Sequence, residues 1–212
     1  PEMIEIAKKN SIFSDIIKNA ELVVPDSAGI ELALRLKGVK QQRIPGIDLA
    51  KKIISFCNEL NYPVALIGAA EEVIQTVQKN LKTEFEKLNI CYAQNGYFTD
   101  TEEDTIINNL AKMRPKFVLI ALGAPKQELF IKKCREKLHN AVYIGVGGSF
   151  DVWSGKVERA PEFFKNIRCE WLYRTFKQPE RLKRIYKTLP MFLFKAIIEG
   201  VQEKLMRVRD CK

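Results

Sequence analysis

The chain is poor in the groups that many hydrolases and metalloenzymes rely on. It holds one histidine, His139, at the end of a helical pattern, which argues against histidine-centred triads and histidine-rich zinc sites. Its five cysteines, Cys57, Cys91, Cys134, Cys169 and Cys211, are scattered and odd in number, with no CxxC pair. That pattern excludes a zinc knuckle or disulfide scaffold and fits a reducing cytosol. No apolar run reaches the roughly 18 to 20 residues that a membrane span needs. The dinucleotide fingerprint G-x-G-x-x-G is absent. "GGSFDVWSGKV" misses the Walker A spacing too, because six residues separate Gly148 from Gly155 and Val157 stands where Ser or Thr would bind magnesium. Nor is there an Asp-x-Asp pair to hold a divalent cation on a diphosphate. We therefore expect no metal and no cofactor, and a diphosphate would be met by arginines and backbone amides. The sequence opens at Pro1 with neither an initiator Met nor a signal-peptide pattern, and we expect its natural start to lie upstream.

What is present is unevenly charged. The net charge is +9, and Lys165 to Lys212 carry 13 Lys/Arg against 5 Asp/Glu, so the end of the chain holds nearly all of the excess. A neutral body with a cationic tail attracts phosphates, nucleic acid or an anionic membrane surface.

Short β-branched runs alternate with one-sided helical patterns. The candidate strands are "ELVVP" (21–25), "YPVALIG" (62–68), "NICYAQNG" (89–96), "KFVLIALG" (116–123) and "NAVYIGVGG" (140–148). Segments such as "GIDLAKKIISFCNEL" and "AAEEVIQTVQKNLKTEFEKL" between them repeat apolar residues at helical spacing. This alternation predicts an α/β, Rossmann-like, mostly parallel sheet with helices on both faces, whose ligands bind beyond the carboxyl ends of the strands. After Asp151 the pattern becomes helical, basic and aromatic. We expect an α/β catalytic core over residues 1–160 and a basic helical C-terminal appendage over 161–212.

Several short motifs fall where such a sheet would bind. "GVGGSFD" ends a strand in a glycine turn, where the amides of Gly147 and Gly148 can meet a phosphate and Asp151 a ribose; a plain tight turn explains the glycines equally well. In "VVPDSAG", Asp26 is either a helix cap or a carboxylate at the mouth of the site. "RIPGIDLA" offers Arg43 as an anion contact or as a solvated surface arginine. "GAPKQELF" follows Gly123 with Gln127 and Glu128 in a first helical turn, where helix-start chemistry or a sugar contact would account for them. In "RTFKQPERLKR", helical spacing places Arg174, Lys177, Arg181 and Arg184 on one face, near Trp171 and the Arg159-Ala160-Pro161 step. Guanidinium forks match phosphate oxygens in pairs, so this face can serve as a pyrophosphate clamp. Beyond Pro190, Phe194, Ile197, Ile198, Val201, Leu205 and Val208 form an apolar stripe among cations. It suits an anionic lipid surface, or packing on the domain or on a second subunit.

Taken in order, "VPDSAG", "RIPGIDL", "GAPKQE", "GVGGSFDVWSGKVERAP" and "EWLYRTFKQPERLKR" resemble the WecG/TagA/CpsF family of bacterial glycosyltransferases. The resemblance spans nearly the whole chain. It implies transfer of N-acetylmannosamine or a related sugar from a UDP donor to an undecaprenyl-diphosphate-linked sugar, as in the linkage unit of wall teichoic acid. The enzyme would work as a peripheral protein on the cytoplasmic face of the membrane, as a homo-oligomer in some states and without nucleic acid. The resemblance also implies that Asp26 is the catalytic base and that Arg43 and Gln127 contact donor or acceptor. Gly123, Gly147, Gly148 and Asp151 would hold the nucleotide, and Arg174, Arg181 and Arg184 would neutralise diphosphate charge. The alternative from another class is a polyanion or nucleic-acid-binding module built on the basic tail, with Trp171, Tyr173, Phe176 and Tyr186 for stacking. A nicotinamide-dependent oxidoreductase is a further rival that the missing glycine fingerprint disfavours.

Overall fold

A computed structural model describes residues 1–162 together with Phe164, Tyr173, Phe192, Phe194 and Ile198. In chain order the elements are α1 (Glu2–Lys9), α2 (Ser11–Lys18), α3 (Ala28–Leu36), α4 (Gly46–Glu59), β1 (Val64–Gly68), α5 (Glu71–Glu84), β2 (Ile90–Gln94), α6 (Asp100–Met113), β3 (Phe117–Ala121), α7 (Lys126–Lys137), β4 (Val142–Gly145) and α8 (Ser149–Trp153). The chain divides into two compact units, Gly46–Glu158 and a second that joins Pro1–Pro45 with Arg159–Lys212.

The first unit contains the sheet, with strand order β2-β1-β3-β4 and every pairing parallel. The two central strands read as continuous apolar runs because both of their faces are covered. Val64, Leu66, Leu119 and Ala121 face one buried cluster with Ile54 of α4, Val73, Val77 and Leu81 of α5 and Phe150 of α8. Ala65, Ile67, Val118 and Ile120 face the other, with Ile106, Ile107 and Leu110 of α6 and Phe130 and Cys134 of α7. A strand alternates its side chains between faces, so five residues supply both layers. The result is the α/β, Rossmann-like arrangement that the alternation predicts.

Local chemistry fixes the helix ends. Thr99 and Glu102 form a reciprocal capping box at the start of α6, which satisfies two otherwise unpaired backbone donors. Its C-terminal cap is Arg114, in the left-handed region at φ 49°. Asn10 accepts from the Phe13 amide at 3.0 Å to start α2, and Phe13 is fully buried. In the second unit Ala33 of α3, Ile30 and Phe192 pack together.

One expected strand is not there. Glu21–Pro25 forms no strand, with Leu22 71% and Val23 63% exposed. A β-branched run favours strand only where a neighbouring strand pairs its backbone, and among the described residues no strand pairs with this segment. Its Pro25 carbonyl instead accepts from the Ile44 amide at 2.9 Å. His139 lies two residues beyond the end of α7 rather than in its last turn.

The order β2-β1-β3 makes the gap between β1 and β3 the switch point where the chain crosses from one side of the sheet to the other. Here the backbones nearly touch. Gly68 has φ +120°, and a Cβ on it would stand 2.3 Å from the Ala121 carbonyl oxygen. Ala69 donates to that same oxygen at 3.1 Å, and Gly96 donates to Ala69 at 2.8 Å. Gly68→Ala is therefore expected to cost about 3 kcal/mol through overlap and backbone strain, read as a lower denaturant midpoint in chemical unfolding.

Candidate functional site

At the carboxyl end of the sheet, the loop after β3 carries Gly123 at φ +75°, then a cis peptide before Pro125, then α7. The Gln127 amide donates to the Gly123 carbonyl at 2.9 Å, so the loop winds directly into the helix. Gln127 and Glu128 are both only 6% exposed, which is unusual for polar residues in a first helical turn. The Gln127 side chain lies across the end of β4. A Cβ on Gly145 would be 2.4 Å from its Nε2 and 2.8 Å from its Cδ, so the missing side chain at Gly145 is what makes room for the amide. Nε2 donates to Glu128 Oε1 at 2.7 Å. Burial pushes the Glu128 carboxyl above its usual range, partly offset by the hydrogen bonds from Gln127 and the backbone.

The turn after β4 is anchored from below. Val146 donates to Ile120 at 2.8 Å, and its own carbonyl accepts from both the amide and the hydroxyl of Ser149. Gly147, at φ +48°, provides the left-handed step that lets the chain reverse into α8, for which Gly148 is the N-cap. Phe150 is fully buried and stacks at 5.7 Å on Trp153, whose carbonyl accepts from Asn80 of α5 at 2.8 Å. Asp151 sits half-exposed on α8, and its carbonyl accepts from Val157 and from the Ser154 hydroxyl. Gly123, Gln127, Gly147, Gly148 and Asp151 thus share the carboxyl end of β3 and β4.

On the other flank of this end, Lys126 reaches the Gly96 carbonyl at 3.4 Å and lies 4.6 Å over the Phe98 ring. Tyr97 beside them is 81% exposed. Asn95 donates to Glu71 at 2.6 Å, which together with Gln75 holds that carboxyl below its usual range.

Asp26 and Arg43 belong to the second unit and meet there. Arg43 Nε donates to the Asp26 carbonyl, and Nη2 stands 3.8 Å from the carboxylate Oδ1. The Asp26 side chain remains 63% exposed. The side-chain cap of α3 is not Asp26 but Ser27, whose hydroxyl accepts from the Ile30 amide at 3.2 Å. Arg43 is therefore a partner that shapes the Asp26 turn, rather than a plain surface cation. Arg174, Arg181 and Arg184 lie outside the described residues, as do Trp171 and Lys177. Of the expected apolar stripe, Phe194 and Ile198 are described and exposed.

Gly145 is a site feature that the sequence motifs did not single out, and the burial of Glu128 goes beyond its expected place in a first helical turn. A carboxylate in a first helical turn suits the helix dipole and looks explained. Only the overlap of Gln127 with the space above Gly145 shows why the turn is buried. A glycine closing a strand was the available signal, since it often marks a close approach of another group.

A parallel α/β sheet whose carboxyl end carries glycine turns and buried polar side chains is a Rossmann-like scaffold with its polar groups gathered where such sheets bind ligands. The sequence profile of the Glycosyl transferase WecG/TagA/CpsF family matches residues 1–205, and the chain belongs to that family. It is a glycosyltransferase, which takes a sugar donor and an acceptor.

The raised Glu128 pKa has a consequence for stability. Between the ordinary carboxylate range and the raised value, the folded chain holds the proton more tightly than the unfolded chain. Stability therefore falls as pH rises through that window and stays lowered above it. Glu128→Gln, which cannot ionise, is expected to melt higher than the natural chain at pH 8, with the difference shrinking at pH 4, in thermal denaturation at both values.

Proposed function

We propose that the protein is an inverting N-acetylmannosaminyltransferase of the TagA type. It would move N-acetylmannosamine from UDP-N-acetylmannosamine to undecaprenyl-diphosphate-linked N-acetylglucosamine in the linkage unit of wall teichoic acid. The family match over residues 1–205 carries this reading, because it embraces Asp26, the glycine turn and the basic tail in one chain. The specific sugars are what the resemblance of the five ordered motifs, from "VPDSAG" to "EWLYRTFKQPERLKR", implies.

In this mechanism the Asp26 carboxylate accepts the proton of the acceptor's sugar hydroxyl. The hydroxyl oxygen forms a bond to the anomeric carbon from the face opposite the phosphate. The bond from that carbon to the diphosphate oxygen breaks, UDP departs with the electron pair, and the anomeric configuration inverts. The exposure of Asp26 supports the role, since a large lipid-linked acceptor must reach it, and so does the assignment of the helix cap to Ser27. Arg43 fixes the Asp26 turn through its carbonyl. Gly123, Gly147, Gly148 and Asp151 would hold the uridine diphosphate and Gln127 the donor sugar. Arg174, Arg181 and Arg184 would stabilise charge on the diphosphates in a low-dielectric setting.

The acceptor brings the enzyme to the inner face of the cell membrane as a peripheral protein. No helix among the described residues is long and apolar enough to cross a bilayer. Phe194 is 65% and Ile198 41% exposed within a cationic stretch, a combination suited to an anionic interface. A self-association through the same stripe fits these exposures equally. Within residues 1–160, the α/β core would carry the chemistry, and residues 161–212 would close the site and meet the membrane.

Two outcomes test the reading. Asp26→Ala is expected to lower transfer at least a hundredfold while leaving UDP affinity within about twofold, with disaccharide-lipid formation followed by mass spectrometry. Loss of UDP binding in a folded variant would remove Asp26 from the role of base. The double change Phe194→Ser with Ile198→Ser is expected to reduce co-sedimentation with anionic vesicles several-fold; unchanged sedimentation would assign the stripe to protein packing.

A further inference from the structure

Two buried oxygens in the sheet unit have no hydrogen-bond partner, Gln127 Oε1 and Glu128 Oε2, and they belong to neighbouring side chains. An unmade hydrogen bond at a buried acceptor costs about 1–3 kcal/mol, so a pair of them at the binding end of a sheet signals a group that arrives with the ligand.

The geometry also sets the polarity of what is missing. Gln127 Nε2 is committed to Glu128 Oε1 at 2.7 Å, which fixes the amide with its NH₂ toward the carboxyl and its carbonyl oxygen away from it. The amide lies in the space left by Gly145, where a Cβ would overlap both Nε2 and Cδ. Among the described residues Glu128 is the hydrogen-bond partner that distinguishes the two ends of the amide, and without it a half-turn about the last bond would offer NH₂ where the carbonyl now stands. Held as it is, Gln127 can only accept through Oε1. A phosphate has no proton to give, whereas a sugar hydroxyl or a base N–H does. Gln127 Oε1 is covered in the free protein while the residue as a whole retains 6% exposure, so the contact requires ligand binding to uncover that oxygen.

We propose that Glu128 is a positioning residue that locks the Gln127 amide, so that Gln127 Oε1 accepts a hydrogen bond from a hydroxyl or N–H of the bound sugar nucleotide and not from its diphosphate. The inference rests on the transferase reading and narrows it: Gln127 reads the sugar or the base, and Glu128 sets the direction of that reading.

The test uses the full chain and isothermal titration with UDP-N-acetylmannosamine, UDP and UMP. Glu128→Leu is expected to weaken the sugar nucleotide about tenfold, and Glu128→Gln, which keeps an acceptor oxygen for Gln127, to recover most of that loss. Gln127→Ala and the double variant Gln127→Ala with Glu128→Leu are expected to bind alike, because the carboxyl acts only through the amide. A loss confined to UDP-N-acetylmannosamine assigns the donor to a hydroxyl or the amide N–H of the transferred sugar; an equal loss for all three nucleotides assigns it to the nucleoside, through a ribose hydroxyl or the base N–H. If Glu128→Leu is unfolded by circular dichroism, Glu128→Asp, which withdraws the carboxylate by one methylene, carries the same comparison. Binding by Glu128→Leu equal to the natural chain, or a double-variant loss equal to the sum of the single ones, would overturn the proposal while leaving the transferase reading intact. Failure of the natural chain to bind any of the three nucleotides would instead overturn the proposed UDP-sugar donor, and this inference with it.

Discussion

The sheet unit depends on the close approach of β1 and β3 at Gly68 and Ala121. The two strands pair in register from Val64 opposite Phe117 to Gly68 opposite Ala121, and both carry side chains into the two cores. Because Gly68 has no side chain, the loop that leaves β1 can cross directly over the end of β3, and Ala69 can bond to the Ala121 carbonyl. The loop after β2 then settles on it, with Gly96 only 3.1 Å, measured from an added Cβ, from the Gly68 Cα. Three backbones thereby meet directly on one side of the sheet's carboxyl end, with Leu122 packed beside them. The polar chemistry lies beside this seam, from Gly123 through Gln127 to the turn at Gly147.

The same arrangement shows how an α/β scaffold accommodates groups that are costly to bury. The core beneath the site is packed with Leu119, Ile120, Phe130 and Phe150, all 0–1% exposed, so the polar end rests on a rigid apolar base. On that base the protein holds a carboxyl whose pKa is raised by burial and an amide with an unmet acceptor. Such groups lower the stability of the free protein, and they persist where a site needs a fixed polarity before the ligand arrives. Asp26 follows the opposite logic. It is largely exposed, in keeping with the proposed encounter with a bulky acceptor, and it is shaped by an arginine and by a cap that a neighbouring serine provides.

Much of the sheet was legible in the chain. Four apolar runs became β1 to β4 within a few residues of their expected limits, since runs such as "VALIG" and "FVLIA" have no exposed face to fill with polar residues. The fifth run, "ELVVP", is also rich in aliphatic residues, and among the described residues it pairs with no strand. Strand formation is a property of pairs, and composition within one segment does not carry the partner. The motif glycines were also readable as turns, and the structure gives Gly123 and Gly147 the positive φ that glycine adopts without strain. Asp26 could be read as a helix cap or as a carboxylate at the mouth of a site, and the Ser27 hydroxyl bonded to the Ile30 amide assigns the side-chain cap to Ser27.

The sequence by itself determined the α/β class, the position of the strand ends and the family, because periodicity, glycine turns and long motifs are local properties of the chain. Tertiary structure alone decided that Gln127 lies over Gly145, that Glu128 is buried against it, and that Arg43 binds the Asp26 turn. Gln127 and Gly145 are 18 residues apart, and Asp26 and Arg43 are 17 apart. Their meeting depends on how intervening elements pack, and the energies involved arise from burial and exclusion of water, which no single stretch of sequence expresses.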